Sequence, residues 1–335
     1  MAGTRSSLCS SACLPNVEEK EVSTGEDVVN LKRDQANIMA FDKVHYKGHV
    51  IAGVAAIDRN TAQEAIKNID VKYEILKHVS DVDSAMAKDA PIILESLVGD
   101  HLGENVPNTN VAKIFRHEFG DVEEAFKNSD EVVERTFTMS MIHQGYIEPH
   151  NATAVWGQDG KINLWASTQG SFGVRAQTSG MLGIPESNIK VNYVEIGGGF
   201  GGKTKVYLEP IAALLSRKSG KPVKISLDRA EVLQCTGPTS GGVVKAKIGA
   251  KNDGVFTAVT CDIYLEAGAY PGSFIENGCN TAFAPYDVPN LRVAGYDIVT
   301  NKPKTGAYRA PGTPNSALAV ETAVDEISRK LKIEF

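Results

Sequence analysis

The sequence predicts an α+β chain, and three observations carry that prediction. Residues 50–76 read as a small strand–helix–strand unit. From 131 onward, alternating apolar runs interleave with helical ones, as in a larger mixed domain. Between a predicted strand (189–194) and a predicted helix (206–217) lies 196–204, Ile-Gly-Gly-Gly-Phe-Gly-Gly-Lys-Thr, with glycine at 197, 198, 199, 201 and 202. Each glycine costs about 0.5–1 kcal/mol of order relative to alanine, so such a run is kept out of sheet and helix interiors. A bare loop at this position lets backbone N–H groups close on a bound group.

In chain order, residues 1–27 lack periodicity and read as a disordered or non-native start. The run 50–56 is uniformly apolar and small, as in a buried strand. Residues 61–68 read as a helix capped by Asn60 or Thr61, and 69–76 alternates as a second strand. A short helix is expected at 82–87. Residues 89–115 carry Pro, Gly and Asn without period and are expected as a connection. Asp121, three before Glu124, signals a helix start, and 131–141 a long strand. Strands follow at 162–166 and 222–228, with a helix at 170–182. Lys251-Asn-Asp-Gly254 between two apolar runs (244–250 and 255–265) is a hairpin signal. A strand at 293–299 and a helix at 316–331 close the chain.

Bulk properties narrow the function. A chain of 335 residues, 42% hydrophobic and 23% charged, has enough apolar material for about two domains. A net charge of −6 gives no basis for nucleic-acid binding or an anionic membrane surface as partner. No apolar run approaches the ~18 residues of a membrane span, and 1–15 lacks the apolar centre of a secretory signal. The five cysteines (9, 13, 235, 261 and 279) are sparse, which fits a reducing, cytoplasmic compartment. They form no cluster for an iron–sulfur centre.

Four stretches carry candidate chemistry. Gly197-x4-Gly202-Lys203-Thr204 satisfies the P-loop pattern, with Asp228 as a magnesium-binding aspartate on that reading. His143-Gln-Gly-Tyr-Ile-Glu-Pro-His150 gathers polar groups, but the two histidines match no zinc spacing. A pocket-wall network with Glu148 fixed by hydrogen bonds is the better reading. Gln169 ends a strand where a helix begins, and can aim its amide at a ligand or cap backbone groups. Arg309 sits beside a Pro-Gly turn.

Ser167-Thr-Gln169, Gly197-Gly-Gly-Phe-Gly-Gly-Lys203 and Ala307-Tyr-Arg-Ala-Pro-Gly312, in that order, resemble the molybdopterin-binding large subunit of the molybdenum hydroxylases, the xanthine dehydrogenase / aldehyde oxidase family. The resemblance runs from about residue 28 to the end. It implies a partial hammerhead-like α/β domain (28–88), a connection (89–115) and the first half of a molybdenum cofactor-binding domain (116–335). It also implies that the family's subunit continues well beyond Phe335, and that the missing part carries most pterin contacts and the catalytic base. This chain alone is therefore expected to be inactive.

By the same resemblance, the reaction is hydroxylation of an aldehyde or N-heterocycle with water as oxygen source. Gln169 and Arg309 are the implied catalytic residues. Gln169, Gly199, Phe200 and Gly201 bind the cofactor. Gly201 offers its N–H to one oxo or hydroxo ligand of the metal, and Gln169 its amide to another. Phe200, Thr204 and Arg309 line the substrate pocket, and no side chain ligates the metal directly. The implied cofactor is molybdenum–molybdopterin, as pterin cytosine dinucleotide if the source is bacterial. A 2Fe-2S subunit and an FAD subunit are the implied partners, in a homodimer of heterotrimers. Xanthine-specific relatives carry Glu where this chain has Thr204, so a purine anchor is missing. Carbon monoxide dehydrogenases carry Cys where it has Ala310, and many relatives carry Gln where it has Asn315. The alternatives are a P-loop NTPase, or a non-catalytic fragment acting only in assembly with a partner chain.

Overall fold

A computed structural model describes residues 28–333. The chain divides into two compact units, each assembled from two stretches: residues up to 76 with Gln144–Gly237, and Lys77–His143 with residues from 238 onward.

The first unit is built on a four-stranded sheet, β5 (Asn151–Trp156), β6 (Ile162–Ala166), β7 (Ile189–Asn192) and β8 (Val223–Ser226), in the order β7-β6-β5-β8. β5 runs antiparallel to β6 and β8, and β6 parallel to β7 through the crossover helix α5 (Ser171–Leu182). Leu164, Ala152 and Ala154 of the sheet pack with Val174 of α5 and with Ile211 and Ala212 of α6 (Glu209–Ser219). Leu164, Val174 and Ile211, so buried, contribute roughly 1.5–3 kcal/mol each. The strand directions place the chemistry. β6 and β7 leave the sheet at the same end, and β5, running the other way, enters there. Three segments therefore converge at that end: 144–150 before β5, Ser167–Gly170 after β6, and the glycine loop after β7.

The unit also holds α1 (Val28–Ile38), which packs on α5, and α2 (Arg59–Lys67). Asp58, rather than Asn60 or Thr61, caps α2 by accepting the Thr61 N–H at 2.8 Å. The expected strands at 50–56 and 69–76 belong to no sheet among the described residues. Their apolar pattern is real, but a strand also needs a neighbour on its ladder, and no described residue provides one. α6 starts at Glu209, three residues later than the periodicity predicts. Pro210 sits in its first turn, and the buried Glu209 carboxylate accepts the N–H groups of Tyr207 and Leu208. β8 stops at Ser226, and Asp228 opens α7 (Arg229–Cys235) through a capping box with Glu231.

The second unit is a seven-stranded mixed sheet, β2-β1-β3-β11-β10-β9-β4. Its strands are β1 (Val98–His101), β2 (Glu104–Pro107), β3 (Val111–Phe119), β4 (Glu131–Met139), β9 (Gly242–Ala250), β10 (Phe256–Gly268) and β11 (Leu291–Val299). About half of 89–115, expected as an aperiodic connection, forms β1, β2 and the start of β3; two of these are four-residue strands, too short to show a period. β9 and β10 form the expected hairpin over Lys251–Gly254. Helices α3 (Val82–Met86), α4 (Val122–Lys127), α8 (Ile275–Thr281) and α9 (Thr313–Leu331) complete the unit. Val244, Ile248, Ile263 and Leu265 pack with Ala319, Val320 and Ile327 of α9 to form its core. The expectation for 1–27 lies outside the described residues.

Candidate functional site

Ser167, Thr168 and Gln169 leave the end of β6, and Gly170 starts α5 immediately. This abrupt change leaves Gln169 exposed, beside the glycine loop. The Gln169 backbone N–H donates to the Lys203 carbonyl at 2.9 Å, and the Thr168 hydroxyl to the same oxygen at 3.1 Å. The Gln169 side-chain Oε1 accepts the Gly201 N–H at 2.7 Å and the Lys203 N–H at 3.2 Å. An oxygen holding two donors fixes the orientation of its amide. The Gln169 NH2 group is thereby turned away from the loop backbone.

The loop is formed by unusual backbone. Gly198, Phe200 and Gly201 have φ of 92°, 54° and 102°. For Phe200 this is a strained, left-handed conformation. Gly199 faces Gln169 so closely that a Cβ would come within 2.5 Å of its Oε1. Gly202 lies against Gln144 and Tyr146 in the same way. The glycines thus serve close approach on one side and positive φ on the other. Phe200 is half exposed. The Thr204 hydroxyl turns back to donate to the Gly201 carbonyl at 2.8 Å. Gln177 of α5, a residue with no sequence signal, closes the far end by donating to the Thr204 carbonyl and accepting the Val206 N–H.

Beneath the loop lies an ion pair. Lys203 is fully buried, with Nζ 2.8 Å from Glu148 Oε2 and 4.8 Å from the centre of the Tyr146 ring. The same Oε2 accepts the Gly197 N–H at 2.8 Å and the Ser167 hydroxyl at 2.9 Å, while Oε1 accepts from Asn151 at 3.2 Å. Burial pushes the Glu148 carboxyl up, but Lys203, Gly197 and Ser167 together outweigh it and hold it at about 2. Burial likewise pulls the Lys203 ammonium down, opposed by its pairing with Glu148. The expectation that Glu148 is fixed by hydrogen bonds matches this network. His150 is packed edge-on between Tyr146 and Tyr207.

This geometry speaks against the P-loop. A P-loop lysine reaches toward phosphates at a helix start. Lys203 instead points into the protein and is taken by Glu148, and α6 begins only at Glu209. Asp228 is occupied in capping α7.

Arg309 lies in the second unit, exposed, in the turn before α9. Ala310 and Gly312 have φ of 60° and 84°, and a Cβ on Gly312 would meet the Phe274 carbonyl. Asn315 is buried in the first turn of α9 and donates to the Ser240 carbonyl at 3.1 Å. Gln169, Gly199, Phe200, Gly201 and Thr204 thus gather in the first unit.

Residues 102–335 match the family described as the molybdopterin cofactor-binding domain. The chain belongs to the molybdenum hydroxylases of the xanthine dehydrogenase / aldehyde oxidase family. Residues 12–77 match the α/β hammerhead domain of aldehyde oxidase and xanthine dehydrogenase, so the fold is a hammerhead followed by a cofactor-binding domain. The chain is 31% identical to the nicotinate dehydrogenase large molybdopterin subunit of Eubacterium barkeri, over 88% of this chain and 67% of that one. It is 30% identical to the carbon monoxide dehydrogenase large chain of Afipia carboxidovorans, over 91% of this chain and 39% of that one. Quinoline 2-oxidoreductase from Pseudomonas putida 86 superimposes with a TM-score of 0.79 at 26% identity, over 89% of this chain and 37% of the other. The chain thus spans between about a third and two thirds of the length of these family members. Among the described residues, no helix is long and apolar enough to cross a membrane.

Proposed function

We propose that this chain supplies the donor wall of a molybdenum–molybdopterin site in an oxidoreductase that hydroxylates an aldehyde or N-heterocycle, with water as oxygen source. The observation that carries the proposal is the Gln169 amide. Its oxygen is held by the Gly201 and Lys203 N–H groups, which leaves its NH2 group to face a bound acceptor. The residues fit such a group. The donors are neutral and do not compete as ligands, while the charged Lys203 and Glu148 are turned inward on each other. When bound, the molybdenum–pterin group supplies the two-electron oxidation, and the protein orients and polarises it.

Gln169 donates to the bound centre. Gly201 acts one step behind it, since its N–H is spent on orienting Gln169. Phe200, strained and half exposed, walls the approach with Gly199 and Thr204. Arg309 lines the substrate pocket and stabilises negative charge that develops on the substrate. The cofactor is pterin cytosine dinucleotide if the source is bacterial. A 2Fe-2S subunit and an FAD subunit carry the electrons onward, in a cytoplasmic homodimer of heterotrimers. Thr204 provides no purine-anchoring carboxylate, which favours aldehydes and simple heterocycles over xanthine. Ala310 similarly disfavours carbon monoxide.

The test is a panel of aldehydes, N-heterocycles and xanthine, run on the complete assembly with wild-type and Gln169→Leu protein and with molybdenum measured in both. Xanthine is expected to have less than the best kcat/KM. Gln169→Leu is expected to keep its metal and to lose roughly 10²–10³-fold in kcat, the scale for one preorganised donor. Xanthine as the best substrate contradicts the substrate assignment; an unchanged kcat contradicts the role of Gln169.

A further inference from the structure

The glycine loop closes turns of its own only past Gly198: the Gly202 N–H donates to the Gly199 carbonyl at 2.8 Å and the Thr204 N–H to the Gly201 carbonyl at 3.3 Å. Its first and last residues are not paired in the sheet, and five of its residues lack side chains. Yet Gly201 and Lys203 must present their N–H groups to one oxygen on Gln169. Their hold on the loop is local, at its far end. At its near end stands Glu148, from the segment entering β5. Its Oε2 takes the Gly197 N–H, and its own backbone N–H donates to the Gly197 carbonyl at 3.2 Å. Gly197 and Glu148 are so close that a Cβ on Gly197 would lie 2.6 Å from the Glu148 Cβ. The same oxygen reaches Ser167, two residues before Gln169, and Lys203, two residues after Gly201. One carboxylate therefore ties together the three segments that converge at this end of the sheet.

We propose that Glu148 is the positioning residue of the glycine loop: by joining Gly197, Lys203 and Ser167 it sets the loop so that Gly201 and Lys203 hold the Gln169 amide in its donating orientation. Its importance to turnover rests on the reading of Gln169 given above; its action on the loop does not. Glu148 touches neither the expected substrate wall nor the amide, and acts through the loop. Lys203 supplies the counter-charge that keeps a carboxylate acceptable beneath the loop, with the Tyr146 ring beneath its ammonium.

The test is amide hydrogen exchange, resolved by residue, on the 335-residue chain. Lys203→Met is compared with Glu148→Leu/Lys203→Met. The two proteins differ only at position 148, and the apolar pair leaves no unpaired buried charge. At matched Tm, the double variant is expected to exchange the Gly197 and Gly201 amides at least ~10-fold faster, the effect of losing one charge-assisted hydrogen bond. The amides of β5 and β6 should be unchanged. Should the double variant not fold, Glu148→Gln/Lys203→Met replaces it, with faster exchange at Gly197 expected because a neutral amide oxygen replaces the charged carboxylate oxygen as acceptor. In the complete assembly, the same pair of variants should differ in kcat with KM and molybdenum content unchanged. Equal exchange at Gly197 and Gly201 in the compared variants overturns the proposal. Faster exchange without a change in kcat leaves the positioning of the loop standing and removes its tie to Gln169 chemistry.

Discussion

At the scale of single residues, the site depends on which oxygen each N–H reaches. The glycine run stands out in the sequence by its composition, whereas Gln169 and Arg309 are ordinary for a strand end and a turn. The resemblance then supplies a role for each. What it could not supply is the pairing. Nothing in the sequence links Glu148 to Lys203, 55 positions away, and the P-loop pattern invites the opposite reading of that lysine. Nor does spacing reveal that the Gly201 N–H is spent on Gln169. Such links arise where chain segments meet, and periodicity is blind to them. The pairing has a consequence in acid. The Glu148 carboxyl is held at about 2 in the fold, against 4.5 ordinarily. The unfolded chain therefore takes up this proton first as pH falls. The stabilisation is complete above about pH 4.5 and disappears as pH drops toward about 2. Thermal melts across this range should show Tm falling more steeply for the wild type than for Glu148→Leu/Lys203→Met. Parallel curves would contradict the ionised pair.

At the scale of elements, pattern and structure agree where an element buries a regular face. β4, β6, the β9–β10 hairpin, α5 and α9 all lie close to where their spacing puts them, because burial and period go together there. Agreement fails in two ways. Short strands such as β1 and β2 have too few residues to show a period, and only the ladder they join defines them. The apolar runs at 50–56 and 69–76 have the pattern but, among the described residues, no ladder. The junction between the glycine loop and α6 decides a functional question. A phosphate-binding loop needs its lysine at the helix start, and here Lys203 is followed by five non-helical residues before Glu209. Mg-ATP at millimolar concentration is therefore expected to leave the Tm unchanged, since a ligand that binds only the folded state raises it by RT ln(1 + [L]/Kd). A saturable rise abolished by Lys203→Ala would restore the nucleotide reading.

At the scale of the whole molecule, the question is what this chain can do unaided. Its gathered site consists of donors and walls: Gln169, the loop backbone, Phe200 and Thr204. The acidic group bonded to that loop is Glu148, and a carboxylate held at about 2 and spent on four donors is a poor proton acceptor. General-base catalysis contributes typically 10²–10⁴-fold, so a site without a base turns over slowly. The relatives named above are longer than the span this chain covers. On the proposed reading, residues 1–335 present one side of a molybdenum site and do not complete it. The measurement that tests this most directly is made on the chain expressed alone: molybdenum by elemental analysis, together with turnover on an aldehyde panel. Substoichiometric metal and no turnover are expected; stoichiometric molybdenum with measurable turnover would contradict the half-site reading.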